Sequence, residues 1–147
     1  MKINLTQFSF VKLLCAALLA AAASGHAAEN NAVAEKAATS AAQTWLTVID
    51  HGDYAQSWQE ASAFFRSAVT EDKWKSSLEI VRKPLGKLTS RKVKKAQFAT
   101  SLPGAPDGQY VILKFASSFE NKASAIETIT PMMDTDGTWR VSGYYIR

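Results

Sequence analysis

The sequence predicts an α+β domain in which three N-terminal helices pack on a four-stranded antiparallel meander. Two observations support this expectation. Apolar residues recur at spacings of three and four as far as residue 81, and residues 88–147 contain β-branched and aromatic runs separated by short polar turns. Helices that precede all the strands, rather than alternating with them, are typical of α+β domains.

The N-terminal segment has the pattern of a signal peptide. Two lysines give it a positive start, residues 13–23 form an apolar run, and small residues surround a cleavable bond near Ala27. The apolar run is shorter than the roughly 20 residues that span a bilayer, which argues against a membrane anchor. We therefore expect a periplasmic or secreted protein with a signal peptide over 1–27 and a single domain over 28–147.

The mature chain is nearly neutral and has no cysteine. Losing Lys2 and Lys12 with the signal peptide leaves 15 basic and 13 acidic residues, and Cys15, the only cysteine, is lost with them. A net charge this small gives no reason to expect nucleic acid as an obligatory partner. No spacing of His and Cys indicates a metal site, and no motif indicates a cofactor.

The helices are predicted from apolar spacing and from capping residues. The first is an alanine-rich amphipathic stretch that ends near Gly52, a residue suited to the left-handed position after a helix. Asp53 and Gln56 then resemble a capping box for a second helix. The third follows Thr70 and ends before Pro84, which cannot continue a helix.

The first predicted strand, within 88–100, is rich in basic residues. By strict alternation Arg91 and Lys95 share one face, while Lys92 and Lys94 share the other. A strand with charge on both faces is typical of a sheet edge, where charge opposes unwanted pairing.

The other three strands, within 109–147, have two largely apolar faces. Hairpin loops at 120–122 and at either 134–137 or 136–137 give one register, whereas a two-residue loop near Asn121 would turn the first strand over relative to the other two. One face then carries Val111, Leu113, Phe115, Ile129, Tyr144 and Ile146. The other carries Tyr110, Ile112, Ala116, Ile126, Met132, Trp139, Val141 and Tyr145. The helices can cover one face, and a partner subunit or the curvature of the sheet would have to protect the other.

Glu127 is the candidate catalytic residue, because this register places it beside Phe115 and Tyr144. Burial would raise the pKa of this carboxyl, and a carboxyl of raised pKa in an apolar pocket can act as a general acid or base. The alternative is a structural ion pair with a basic residue such as Lys114 or Arg140.

A pocket beside Glu127 would also hold candidate ligand contacts. We expect Phe115, Tyr144 and the helix tryptophans, Trp58 among them, to form its walls. The alternative is that these aromatic residues are core, since most of the tryptophans fall on the apolar stripe of a helix.

Residues 82–95 carry seven positive charges and no acid. Arg91, Lys92, Lys94 and Lys95 are therefore candidate contacts for a polyanion such as a phosphorylated glycan or a lipid head group. The alternative is a solubilising edge strand. Stacking aromatic residues do not interrupt the run, which argues against nucleic acid.

Several motifs also resemble a known family, the bacterial domain of unknown function 4019. They include Ile49-Asp50-His51-Gly52-Asp53-Tyr54, Arg82-Lys83-Pro84-Leu85-Gly86, Leu102-Pro103-Gly104-Ala105-Pro106-Asp107-Gly108 and Gly137-Thr138-Trp139-Arg140-Val141-Ser142-Gly143-Tyr144-Tyr145-Ile146. The family has no assigned activity, so the resemblance implies export and no reaction. Its layout is similar to the cone-shaped nuclear-transport-factor-2-like folds, in which helices close over a curved sheet, and this analogy implies no function.

Together these patterns favour an exported binding or interaction domain whose ligand is an unidentified small molecule or envelope protein. Two alternatives stay open. One is a small-molecule enzyme that uses Glu127 as general acid or base in an apolar pocket. The other is a polyanion or envelope-surface binder that acts through the basic edge at 82–95.

Overall fold

The computed structural model describes the backbone from Ser9 and the side chains from Ala27 onward. The side chains of the predicted signal peptide, 1–27, therefore lie almost wholly outside the described residues. The chain divides into two compact units, Met1–Val33 and Ala34–Arg147, and the sheet belongs to the second. Within the described residues, no helix combines the length and the hydrophobicity that crossing a membrane requires.

From Ser9 onward, helices precede strands. The helices are α1 (Ser9–Asp50), α2 (Tyr54–Gln59), α3 (Ala63–Ala68) and α4 (Glu71–Val81), followed by a 3₁₀ turn at Lys83–Leu85. The strands are β1 (Leu88–Ala99), β2 (Tyr110–Phe119), β3 (Lys122–Met133) and β4 (Trp139–Ile146). They form one antiparallel sheet in the order β1-β2-β3-β4. The predicted α+β order, helices and then a four-stranded antiparallel meander, is confirmed.

The core lies between one face of this sheet and the helices. The buried side chains of α1 recur at spacings of three and four, as an amphipathic helix requires; they are Ala38, Ala42, Trp45, Leu46 and Ile49. Trp74 and Leu78 add the buried stripe of α4. These helices pack on the inner face of the sheet, which contributes Val111, Leu113, Phe115, Ile129 and Val141.

The predicted second helix is two short helices, because Ser62 interrupts it. Ser62 has an extended backbone, its N–H donates to the carbonyl of Val141 at 2.9 Å, and its hydroxyl accepts from the N–H of Phe65 at 3.1 Å. The predicted capping box was wrong as well. Asp53 makes no side-chain cap hydrogen bond, and the amide of Gln56 donates instead to a glutamate four residues further on.

A β-bulge in β1 changes the faces that strict alternation predicts. The register shifts between Val93 and Lys95, so that Arg91 pairs with Ser117 on the inner face while Lys95 pairs with Lys114 on the outer face. The predicted shared face of Arg91 and Lys95 was therefore wrong.

A second register shift, between Thr130 and Pro131, acts in the same way on β4. It pairs Val141 with Pro131 and turns Val141 into the core, where its exposed fraction is 2%. Proline has no N–H to give to the ladder, so it is tolerated at such an irregularity. Val141 was predicted on the outer face, and this placement was wrong.

Candidate functional site

A buried ion network joins α1 to the sheet. Glu127 of β3 has no exposed surface. Arg91 of β1 donates to both its oxygens, from Nε to Oε2 at 2.7 Å and from Nη2 to Oε1 at 3.1 Å. The same guanidinium donates to both oxygens of Asp50, at the end of α1, over 2.6 and 3.0 Å. A planar guanidinium has five N–H donors in a fixed geometry, which suits it to bridge two carboxylates.

Ser117 and Tyr144 complete the surroundings of Glu127. The Ser117 hydroxyl donates to Oε2 at 2.5 Å, and the Tyr144 hydroxyl donates to Oε1 at 2.8 Å. Each oxygen of Glu127 therefore accepts two hydrogen bonds. An ionised carboxylate is an acceptor only, so these four donors satisfy both oxygens of Glu127.

Arg82 extends the network beyond Asp50. Its Nη2 donates to Asp50 Oδ1 at 3.0 Å, its Nη1 donates to the carbonyl of Gly86 at 2.7 Å, and its guanidinium carbon lies 4.4 Å from the ring centroid of Phe119. Two arginines thus balance two carboxylates. Removing charges from water is costly, and the attraction between them offsets that cost only when the network is complete.

The network shifts the pKa values of two of its members. Burial, and then the charge and hydrogen bonding of Glu127, raise the pKa of Tyr144 well above its ordinary value. Burial alone would lower the pKa of Arg91, but its hydrogen bonds to Asp50 and Glu127 raise that pKa above its ordinary value. Both groups therefore keep their protons at neutral pH, and Tyr144 acts as a hydrogen-bond donor.

The ion-pair alternative for Glu127 is confirmed, but the expected partners were wrong. Lys114 lies on the outer face of the sheet, and Arg140 pairs with Asp134 at 3.0 Å and Asp136 at 2.8 Å in the last hairpin. The reason is the β1 bulge, which turns Arg91 of β1, two strands away from Glu127 in the sheet, inward instead.

Neither Asp50 nor Arg82 was predicted from the sequence to belong to a network with Glu127; Arg82 was predicted only as part of the basic edge at 82–95. One signal for Asp50 was present. A carboxylate at the C-terminal end of a helix meets the negative end of the helix dipole, so it needs a nearby cation. Two arginines of the basic run at 82–95, Arg82 and Arg91, provide the positive charge that Asp50 needs.

The candidate pocket residues occupy different surroundings. Phe115 has no exposed surface and belongs to the core. Trp58 is half-buried, and its indole N–H donates to the carbonyl of Val69 at 2.8 Å. Tyr144 lines a groove of about 180 Å³ between α4 and β4, together with Trp74, Ser77, Leu78, Val81, Tyr145 and Ile146.

The outer face of the sheet, turned away from the helices, carries a second and larger groove of about 550 Å³. It is lined by Lys94, Lys114, Ile126, Thr128, Tyr145 and Arg147. We call this the basic groove. Its three cations come from β1, from β2 and from the residue after β4, and no acidic side chain of the part of the chain that the structure describes lines it.

Two rows of cross-strand neighbours form this face. The first row is Lys95, Lys114, Thr128 and Tyr145, and the second is Lys92, Ala116, Ile126 and Arg147. Basic side chains therefore concentrate over β1 and β2 at one end and beside β4 at the other. Arg147 lies against Tyr145, with its guanidinium carbon 4.9 Å from the ring centroid and its Nε donating to the hydroxyl at 2.6 Å.

The basic run at 82–95 is thus divided between two faces. Arg82 and Arg91 are bound to carboxylates inside the protein, whereas Lys92, Lys94 and Lys95 are exposed on β1. Among the described residues, none of these three lysines forms a salt bridge.

A family model described as "Protein of unknown function (DUF4019)" matches residues 41–144. The chain belongs to this family. The DUF4019 match contains the whole ion network and most of the basic groove. No curated protein and no solved structure matches the chain, so the cone-shaped architecture stays a prediction.

Proposed function

We propose that this DUF4019 protein is a non-catalytic binding domain that holds an anionic ligand in the basic groove. The observation that carries this proposal is a groove of about 550 Å³ that three cations line, from β1, from β2 and from the residue after β4, with no acidic side chain among the described residues of its lining. Its volume lies within the roughly 300–1,000 Å³ that is common for ligand sites. A concave surface lined by one sign of charge raises the local concentration of an oppositely charged ligand.

The pairing of Lys95 with Lys114 gives independent support. These residues lie directly opposite each other on β1 and β2, and like charges in such a pair destabilise the sheet. An arrangement that costs stability in the free protein is typical of a functional surface. A bound anion would remove the repulsion.

The surroundings of Glu127 support a stabilising role for this carboxylate. It has no exposed surface, and its oxygens accept four hydrogen bonds. A general acid or base must lie within hydrogen-bond reach of the proton that it moves on a substrate. Here those positions are taken by Arg91, Ser117 and Tyr144.

Heparin affinity chromatography tests the proposal, with a control that removes equal charge from another surface. The double variant Lys94→Gln/Lys114→Gln should elute at a lower salt concentration than the wild type. The control Lys36→Gln/Lys73→Gln, at exposed positions of α1 and α4, should elute close to the wild type. Equal shifts in both variants, or no retention of the wild type, would contradict the proposal.

We also propose that the protein is exported, and this part is supported by the N-terminal sequence pattern. The mass of the protein recovered from the cell envelope provides the test. It should correspond to a chain that begins at residue 28 or 29. Recovery of the full-length mass alone would contradict export by this route.

A further inference from the structure

We infer that the anionic ligand is an acidic polysaccharide that lies across the strands and carries its negative groups on alternate sugars. This inference rests on the function proposed above, because it names the ligand class of the same groove. Three features of the basic groove support it: the separation of its cations, the uncharged residues between them and its aromatic platform.

The cations lie at two ends of the groove. Lys94 and Lys114 project from β1 and β2, whereas Arg147 follows β4 and pairs with Ile126 through two backbone hydrogen bonds of 3.1 Å. Two strand spacings of about 4.8 Å separate β2 from β4, or about 10 Å in all. A ligand whose negative groups are this far apart meets both ends at once, and the separation is comparable to a disaccharide repeat.

The middle of the groove is neutral. Thr128 provides a hydroxyl, and Ile126, which is 41% exposed, provides an apolar surface. A sugar ring has hydroxyls at its edge, which can hydrogen-bond to Thr128. It also has C–H groups on its faces, which can pack against Ile126. A densely charged polymer such as polyphosphate would instead place a charged group against the apolar side chain of Ile126, which offers it no hydrogen bond.

Tyr145 provides an aromatic platform that is already fixed in place. Its ring is 50% exposed, and Arg147 holds it through both a cation–π contact and a hydrogen bond to the hydroxyl. A side chain ordered before binding loses little conformational entropy when the ligand arrives. Nucleic acids are bound by successive stacking aromatics, whereas Tyr145 is the single aromatic that lines this groove.

Calorimetric titration at low salt tests the inference with four probes of different charge spacing. The probes are hyaluronan octasaccharide, with one carboxylate per disaccharide; alginate octasaccharide, with one per sugar; polyphosphate; and phosphatidylglycerol vesicles. We expect the hyaluronan octasaccharide to bind most tightly. Arg147→Gln should weaken its binding about tenfold, since one charge-assisted contact is lost, while Lys73→Gln should leave it unchanged.

The outcomes separate this inference from the function on which it rests. Tighter binding of polyphosphate, alginate or vesicles than of hyaluronan would overturn the polysaccharide assignment and leave anion binding intact. Hyaluronan binding that is unaffected by Arg147→Gln would also overturn it. Binding of none of the four probes would overturn both. Thermal melts of each variant check that the fold is retained.

Discussion

Arg91 and Lys92 are neighbours in the chain but lie on opposite faces of the sheet. Arg91 is bound to Glu127 and Asp50 beneath the helices, while Lys92 is exposed on the outer face opposite Ala116. One basic run therefore has two roles. Its arginines stabilise the fold, and its lysines carry the proposed binding surface.

The first prediction separates these two roles by substitution. Arg91→Lys should lower the free energy of unfolding by about 2–3 kcal/mol, because an ammonium cannot donate to both carboxylates in the geometry of a guanidinium. Lys92→Gln, at an exposed position, should change it by less than about 0.5 kcal/mol. Urea denaturation measures both. Equal losses would contradict the separation of roles.

Glu127→Gln should destabilise the protein by about 3 kcal/mol, because removing one member of a buried ion network leaves Arg91 with an unbalanced charge. The control is Asp136→Asn, which breaks the exposed pair with Arg140 and should have little effect because water screens it. Chemical denaturation of both variants provides the comparison. A loss for Glu127→Gln no larger than that of the control would show that the network contributes little.

Stability should fall as the pH rises above about 10, the ordinary pKa of tyrosine. Burial raises the folded-state pKa values of Tyr54, Tyr110 and, most strongly, Tyr144. A raised folded-state pKa contributes stability that is fully present below the unfolded value. That contribution is lost as the pH rises through the folded value, because the unfolded chain releases protons that the folded chain retains.

Tyr144→Phe tests how much of this loss of stability at high pH comes from Tyr144, the tyrosine of the ion network. The variant should lose about 1.5–3 kcal/mol at neutral pH, the usual contribution of a hydrogen bond to a charged group. It should also lose less additional stability than the wild type between pH 9 and about 11. Denaturation midpoints across this range provide the measurement. Parallel pH profiles for the two proteins would be inconsistent with a raised pKa at Tyr144.

Lys114→Gln should stabilise the free protein by a few tenths of a kcal/mol at low salt while weakening anion binding. The gain arises because Lys114 lies directly opposite Lys95, and it should disappear at high salt, where the repulsion is screened. Lys122→Gln, at the start of β3 and outside the groove lining, is the matched control. A destabilising or salt-independent effect of Lys114→Gln would contradict the repulsion.

Local patterns were sufficient to predict the order of the elements. The first helix ends at Asp50, and Gly52 follows with a φ of 83°, as its lack of a side chain suggested. The third predicted helix begins at Glu71 after Thr70, whose hydroxyl accepts from the N–H of Lys73 at 3.4 Å. These features depend on residues close together in the chain, and the sequence contains them directly.

The site was only partly predictable, because it depends on bulges. Alternation within β3 placed Glu127 on the buried face correctly, since no irregularity separates it from Ile129. Alternation gave the wrong face for Lys95 in β1, because one extra residue before it reverses the directions of the side chains that follow. No residue type at that position indicates a bulge. The partner of Glu127 follows from that one shift.

The most direct test of the central claim is amide chemical-shift mapping during titration with a heparin-derived hexasaccharide. The account predicts shifts that cluster at Lys94, Lys114, Thr128 and Tyr145 on the outer face and leave α4 unaffected. Shifts that spread over exposed basic residues such as Lys36 and Lys73 would contradict binding in the basic groove. Shifts centred on the groove between α4 and β4, at Trp74 and Leu78, would contradict it as well.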